Sequence, residues 1–194
     1  MANIDYKKAA NFWKEKERVE MPKDMLEAAV KLYLLENPVG ALATGTGDFV
    51  RCTPLECNYH NDLFWIFTEG GEKFVGLEKN KNVSLAFFDS KLGFENLKSV
   101  QVTGVAEVIE PMSDWYVAFA MAKNIPIKTL QKLADEGHPM QLICIRPTRM
   151  DVLFSEFKEM GYDSRQVLEF KDEPIETKEI KLDYSKNQKM FQRH

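Results

Sequence analysis

Cysteine and histidine, the residues that most often form disulfides or bind metals, are scarce in this sequence. Its 194 residues include three cysteines and three histidines, at Cys52, Cys57, Cys144, His60, His138 and His194. A small, odd number of cysteines gives no framework for a disulfide-rich secreted fold. On a strand, Cys52 and Cys57 would point to opposite faces, and no two histidines have the H-x-x-x-H spacing. The residue spacing therefore supports no metal site.

The sequence also lacks a long apolar run and a surplus of positive charge. No apolar run approaches the roughly 20 residues of a membrane helix, and residues 1–8 lack the apolar stretch of a signal peptide. Lys and Arg number 26 against 30 Asp and Glu, a formal net charge of -4, which argues against a dedicated nucleic-acid binder. We expect a cytoplasmic protein without membrane or nucleic-acid partners, although a few well-placed cations would suffice for one phosphate.

The sequence has enough apolar residues for one hydrophobic core, and its N-terminal part has a helical pattern. Hydrophobic residues make up 44% of the chain and aromatic residues 11%, and the length fits one domain. Residues 4–36 have a helical pattern that Pro22 interrupts. The second half places an apolar stripe, including Leu26, Val30 and Tyr33, along one helical face. We expect this stripe to pack on the main domain, with binding of a partner as the alternative.

From residue 39 the pattern changes to that of strands. Six strands are predicted, over residues 39–44, 49–59, 63–67, 83–88, 97–109 and 141–154, with short helices near 70–80, 112–123 and 126–136. Residues 39–68 have no room for crossover helices, so the strands must pair antiparallel. Pro54 indicates an edge strand or a bulge, because proline cannot donate to the ladder. The sequence therefore predicts a mainly β fold, a six-stranded antiparallel split barrel with peripheral helices.

Three regions follow from this pattern. Residues 1–37 form an N-terminal helical extension, residues 38–156 the barrel, and residues 157–194 a polar C-terminal tail. The tail is rich in Lys, Glu and Asp and has few large apolar residues. We expect it to be solvated or to lie over the surface.

Candidate phosphate ligands appear where the third predicted strand leads into a helix. Thr68 is followed by Glu69, Gly70 and Gly71, and then by Glu72 and Lys73. Backbone N–H groups and the positive end of a helix dipole favour an anion there, whereas a lysine in the first turn opposes the dipole. Lys73 is therefore either an anion ligand or an ordinary exposed lysine.

Two further residues have both a functional and an ordinary interpretation. Arg51, within the second strand, could join Lys73 and a Thr hydroxyl around a phosphate monoester, or could lie in water on the barrel exterior. Gln101, among valines on the long strand, could hydrogen-bond a heterocycle or face solvent.

The order of these segments is similar to that of a known family. The matching stretches are Asn37–Thr44, Val50–Pro54, Trp65–Thr68, Glu72-Lys73, Asn80–Leu85 and Val100–Glu107. Together they resemble the FMN-binding split barrel of the pyridoxamine 5′-phosphate oxidase superfamily, over residues 37–110 and onward to about 155. The resemblance implies a homodimer with FMN at the subunit interface, a small-molecule substrate, and a phosphate held by Arg51 and Lys73.

The resemblance implies further flavin contacts as well. Phe67 and Thr68 would belong to the cofactor site, and the backbone around Cys52 and Thr53 would contact the ribityl chain and the ring. Gln101 would contact the flavin from the other subunit.

Two departures from the family pattern limit what the resemblance implies about the phosphate pocket and the substrate. Glu72 stands where relatives often have Arg or Ser, so it either weakens the phosphate pocket or points away. The Arg-x-His-Asp-Arg-like run of true pyridoxamine phosphate oxidases is absent, and Glu169–Pro174 stands in the tail instead. Pyridoxamine phosphate oxidation is therefore not expected.

Three hypotheses for function follow. The first is an FMN-dependent oxidoreductase that moves a hydride or electrons from a reduced donor to a small-molecule acceptor. The second is a non-catalytic FMN- or haem-type binding or sensing protein of the same fold. The third is a barrel with an empty pocket that binds another protein through its N-terminal helices.

Overall fold

A single antiparallel sheet of eight strands forms the body of the molecule in a computed structural model that describes residues 4–90 and 93–171. Its strand order is β2-β1-β5-β6-β7-β4-β3, and β8 pairs with the far half of the long β7. The strands are β1 Val39–Thr46, β2 Phe49–Glu56, β3 Asn58–His60, β4 Leu63–Thr68, β5 Asn82–Phe88, β6 Lys98–Ile109, β7 Gln141–Phe154 and β8 Arg165–Glu169.

The mainly β split-barrel class is confirmed, whereas the number of strands is eight and not six. The predicted strand over 49–59 divides into β2 and β3 at Cys57. The eighth strand lies inside the segment expected to be a polar tail. In β8 only Gln166 and Leu168 are buried, so the sequence pattern there was too short and too polar to indicate a strand. The remainder of that tail, residues 172–194, lies outside the described residues.

The two ends of the seven-strand path from β2 to β3 are consecutive in the chain. β2 is one edge and β3 the other, and Cys57 alone separates them. The sheet must therefore curl until its edges meet at this residue, where the Cys57 N–H donates to the Pro38 carbonyl over 2.6 Å. Pro54 lies on the edge strand β2, as predicted.

Alternate residues of the strands fill the barrel interior. Leu42, Phe64, Leu85, Phe87 and Val100 are buried there with exposures of 1% or less. Their strand neighbours point outward, as the two-residue period of a strand requires. The inward face of each strand is thereby fixed.

Helices cover two sides of the barrel. They are α1 Tyr6–Asn11, α2 Lys23–Glu36, α3 Lys73–Lys79, α4 Asp114–Ala122 and α5 Ile127–Asp135, with short 3-10 helices at Phe94–Asn96 and Ser155–Met160. The predicted stripe of α2 does pack on the barrel core, since Leu26, Val30 and Tyr33 are at most 3% exposed. α4 and α5 enclose a second core with Trp65, Leu142 and others. None of the helices within 4–90 and 93–171 is long and apolar enough to cross a membrane.

Candidate functional site

The short helix α3 lies unusually close to strand β1. A Cβ placed on Gly76 would come within 2.9 Å of the Gly45 backbone nitrogen and 3.0 Å of the Thr44 Cβ, so this position needs a glycine. The Asn80 side chain adds a hydrogen bond to the Gly45 carbonyl over 3.0 Å. The Thr44 hydroxyl is buried beneath the helix without a partner among the described atoms. This tight contact fixes where the first turn of α3 stands relative to β1 and β2.

The loop before α3 needs its two glycines. Gly70 and Gly71 have φ angles of 139° and 105°, a region that side chains rarely allow. The pair turns the chain sharply from the end of β4 into α3. The prediction of a glycine-led helix start after Thr68 is therefore confirmed, although the helix has only seven residues.

Lys73 is a buried cation. It is 4% exposed, its Nζ donates to the Gly70 carbonyl, and the same atom lies 5.4 Å from the centre of the Phe74 ring. Within the described parts of the chain, no carboxylate lies within 4.0 Å of it. Burial lowers the pKa of the Lys73 ammonium below its usual value. The interpretation of Lys73 as an ordinary exposed lysine is therefore wrong.

Arg51 lies beside the start of α3 and is paired. Its register partner is Thr44, so its side chain leaves β2 on the face that α3 covers. The guanidinium contacts the Glu72 carboxylate over 3.0 Å, with 51% of the Arg51 side chain and 63% of the Glu72 side chain exposed. Because Glu72 precedes Lys73, this ion pair places Arg51 next to the buried ammonium. Glu72 therefore neither points away nor faces Lys73, but holds Arg51.

Thr68 and Thr53 lie on the same side as these cations. Thr68, at the end of β4, is 7% exposed, and its hydroxyl and the Gly70 backbone are 3.5 Å apart. Thr53 is opposite the buried Leu42 and so shares the face of Arg51. The structure thus brings together four of the predicted cofactor residues: Arg51, Thr53, Thr68 and Lys73.

The side chains of the other three predicted residues do not point to this side, although the prediction for Cys52 concerns its backbone, which lies between Arg51 and Thr53. Phe67 points away from Thr68 and packs on the rings of Tyr116 and Phe119 in α4. Cys52 faces outward opposite Ala43 and is exposed. Their neighbours in the chain, Thr68 and Thr53, face the α3 side.

Gln101 also faces outward and is remote from Arg51. Gln101 pairs with Ala86 of β5, which in turn pairs with Ala41 of β1. These three side chains share the face of the sheet opposite to that of Thr44. β6 and β2 are three strand spacings apart, about 14 Å. Within one chain, Gln101 and Arg51 therefore point to opposite faces of the sheet.

The structure adds one member of the site that sequence reasoning did not identify as a contact. The ion pair joins Arg51 and Glu72, which are 21 positions apart in the sequence. It depends on the register of β2 and on the position of α3 against β1. No sequence signal could have indicated this pair. Within residues 4–90 and 93–171, no three or more His, Cys, Asp or Glu side chains are grouped so that they could hold a metal ion.

Comparison with known proteins places the chain among split-barrel structures. A family model described as pyridoxamine 5′-phosphate oxidase matches residues 26–154. No curated protein matches the sequence. ChuZ of Campylobacter jejuni is 16% identical with a TM-score of 0.57, covering 86% of this chain and 70% of that one.

Two further solved structures are similar. A putative pyridoxamine 5′-phosphate oxidase of Listeria innocua is 19% identical with a TM-score of 0.51, covering 66% of this chain and 98% of that one. A Clostridium acetobutylicum protein related to general stress protein 26 is 13% identical with a TM-score of 0.52, covering 77% and 97%. At these identities the similarity establishes the fold.

Replacing Lys73 by Met should leave the ligand-free protein as stable as before, or more stable by up to about 1 kcal/mol, because a desolvated cation is removed. The pKa of Lys73 is lower in the folded chain, so the unfolded chain binds more protons between that pKa and 10.5. Stability should therefore rise with pH within that window in the wild type and lose this rise in the variant. Urea unfolding at pH 7 and pH 9.5 measures both effects.

The matched control is Lys79→Met, because Lys79 lies on the same helix with its side chain 64% exposed. It should change neither the stability nor its pH dependence. A loss of more than about 1 kcal/mol in Lys73→Met at pH 7 would mean that the ammonium stabilises the empty site.

Proposed function

The chain belongs to the pyridoxamine 5′-phosphate oxidase family, and on that premise we propose that it binds FMN and acts as a flavin-dependent oxidoreductase on a small-molecule acceptor. The observation that supports this most is the buried Lys73 ammonium, whose described neighbours are a carbonyl and an aromatic ring. A buried cation without a counter-charge is costly, and an anionic ligand removes that cost. The phosphate of FMN is such an anion.

The residues around Lys73 fit a phosphate monoester. Arg51 offers a planar guanidinium with several donors, and Thr68 offers a hydroxyl beside the Gly70 turn. In this proposal the phosphate takes the place that the Glu72 carboxylate occupies at Arg51, so one anion is exchanged for another. Thr53, on the same face, lies on the path from the phosphate toward the ribityl chain.

The remaining predicted contacts support a site shared between two copies. Gln101 lies on the outer face, remote from Arg51 of its own chain. Between Gln101 and Cys52 that face presents small side chains, at Ala41, Ala43 and Ala86. Small side chains allow a second copy to approach closely, and Gln101 of that copy could then contact the flavin. We therefore propose a homodimer with FMN at its interface.

The division of labour follows from the chemistry of the cofactor. Bound FMN would supply the acceptance and release of hydride or electrons. The chain's own residues bind and orient the cofactor. Lys73 and Arg51 hold its phosphate, and Thr68, at the end of β4, offers a hydroxyl beside the Gly70 turn. Pyridoxamine phosphate is not proposed as the substrate, because the sequence lacks the Arg-x-His-Asp-Arg-like run of true pyridoxamine phosphate oxidases. Of the stretch Glu169–Pro174 that stands in the tail instead, residues 172–174 lie outside the described residues.

FMN should bind at least about 100-fold more tightly than riboflavin, which lacks the phosphate. Arg51→Ala and Lys73→Ala should each weaken FMN binding by at least about tenfold and leave riboflavin binding nearly unchanged. Quenching of flavin fluorescence measures all the dissociation constants.

Lys79→Ala is the control, because it removes a cation from the same helix away from the site. If both variants kept the full affinity for FMN, the phosphate site would have been placed wrongly. A protein that is colourless and takes up no FMN would contradict the flavin proposal itself.

Glu72→Gln should tighten FMN binding by about three- to tenfold, because it frees Arg51 and removes a negative charge beside the phosphate. Riboflavin binding should not change. Glu78→Gln, an exposed carboxylate of the same helix, is the matched control and should leave both affinities unchanged. A weaker FMN complex in Glu72→Gln would mean that Glu72 supports the bound state.

Anaerobic mixing of the FMN-loaded protein with NADH or NADPH should bleach the flavin absorbance, and sedimentation should give twice the chain mass. No bleaching by either nucleotide would favour the second candidate, a non-catalytic binding protein. Titration with haemin in place of FMN separates the haem-type version of that candidate, because it would produce a haem absorbance band. A monomer that retains FMN would contradict the shared site.

A further inference from the structure

The N-terminal segment, residues 4–18, lies over the face of the sheet that carries Gln101. A cavity of about 910 Å³ separates the two, and its lining includes Trp13 and Lys14 of the segment and Ser99 and Gln101 of β6. The proposed function places this same Gln101 against the flavin of a second copy. The segment therefore occupies space through which that copy has to approach.

The chain is tied firmly to the sheet at residues 19–21, where the segment ends. The Val19 N–H donates to the Asp163 carboxylate over 2.8 Å, and the Met21 N–H donates to the Gln166 side-chain oxygen over 3.0 Å. The Gln166 amide in turn donates to the Val19 carbonyl over 3.1 Å. Gln166 is only 3% exposed, so water competes little for these bonds. They form an anchor about which the preceding residues can turn.

Residues 4–18 are held much more loosely than this anchor. None of the six residues of α1 is buried. The hydrogen bonds and ion pairs of the segment are local, such as the Lys8 N–H to the Asp5 carboxylate and the Arg18 guanidinium to Glu20. Within the part of the chain that the structure describes, none joins residues 4–18 to the sheet. The segment can therefore leave the sheet without breaking a buried hydrogen bond.

Trp13 makes the contact that biases the segment toward the sheet. Its ring is 48% exposed, and the Arg165 Cζ of β8 lies 4.4 Å from the ring centre. An exposed cation–π contact of this kind favours the closed position by a factor of about two to five. The Lys16 ammonium lies 4.7 Å from the same ring, and its repulsion with Arg165 weakens the hold. A docking surface of ordinary size can displace such a contact.

We propose that residues 4–18 form an autoinhibitory cover, which has to swing away from Gln101 before a second copy can dock there. This inference rests on the homodimer of the proposed function and adds the regulation of its assembly. The closed cover reduces the apparent affinity between copies by the fraction of chains that are open. A two-fold dimer uses the same face of both copies, so both covers must open and the reduction applies twice.

The cover itself is tested by labelling Ser99→Cys, beneath it, with a maleimide carried on a long polyethylene glycol chain, in dilute protein without FMN. Trp13→Ala should speed this labelling by about two- to fivefold, because it releases the cover. Arg165→Gln should do the same, and the double variant should be no faster than either single variant. Thr103→Cys, exposed on the same strand outside the cavity, is the matched control and should label at one rate throughout. Peptide mass spectrometry separates these cysteines from the exposed Cys52.

The regulation is tested by sedimentation equilibrium of the full chain, with and without FMN. Trp13→Ala should lower the dissociation constant of the dimer by about fourfold or more, since two covers are released. Tyr6→Ala removes a 78% exposed ring from the same helix and should leave that constant unchanged.

Equal labelling of Ser99→Cys with and without Trp13, or an unchanged dimer in Trp13→Ala, would overturn the proposal. A weaker dimer in Trp13→Ala would overturn it as well, because the segment of one copy would then support the other. A chain that stays monomeric but labels as expected would support the cover and contradict the homodimer. The labelling needs neither FMN nor a second copy, so failure of the proposed function would be recognised separately.

Discussion

The passage of the chain from one sheet edge to the other at Cys57 is the constraint on which the rest of the structure depends. Because one residue joins β2 to β3, the register of β2 against β1 cannot slip without displacing the closing contact at Pro38. A shift by one residue would exchange the two faces of β2. The closure therefore determines that Arg51 and Thr53 face α3, while Cys52 and Pro54 face outward.

The pairing and packing of the strands explain how a mildly acidic chain concentrates positive charge in two places. Arg51 and Lys73 meet because β2 and α3 both pack on β1, and Gly76 allows the helix to approach closely. Arg165 faces the N-terminal segment because β8 extends the sheet beyond β6 and β7. In both places backbone register brings together residues far apart in sequence. The net charge of the chain gives no indication of either cluster.

Local patterns carried most of what could be predicted. The proline of β2 indicated an edge or a bulge, the paired glycines after Thr68 indicated a sharp turn into a helix, and the apolar stripe of α2 indicated packing on the core. Each of these predictions depends on neighbouring residues alone. The ion-pair partner of Arg51 could not be predicted, because it depends on where α3 packs against β1. β8 was missed because its two buried residues, Gln166 and Leu168, give no alternation long enough to detect.

The closure of the sheet also affects aggregation of unfolded or partly folded chains. Sheet edges are the usual starting points for aggregation, since their free N–H and C=O groups pair with other strands. Here the edge strand β2 contains a proline, β3 has only three residues and continues from β2 through Cys57, and β8, which pairs with β7 alone, has five. None of these edges therefore offers a long, regular template for edge-to-edge polymerisation.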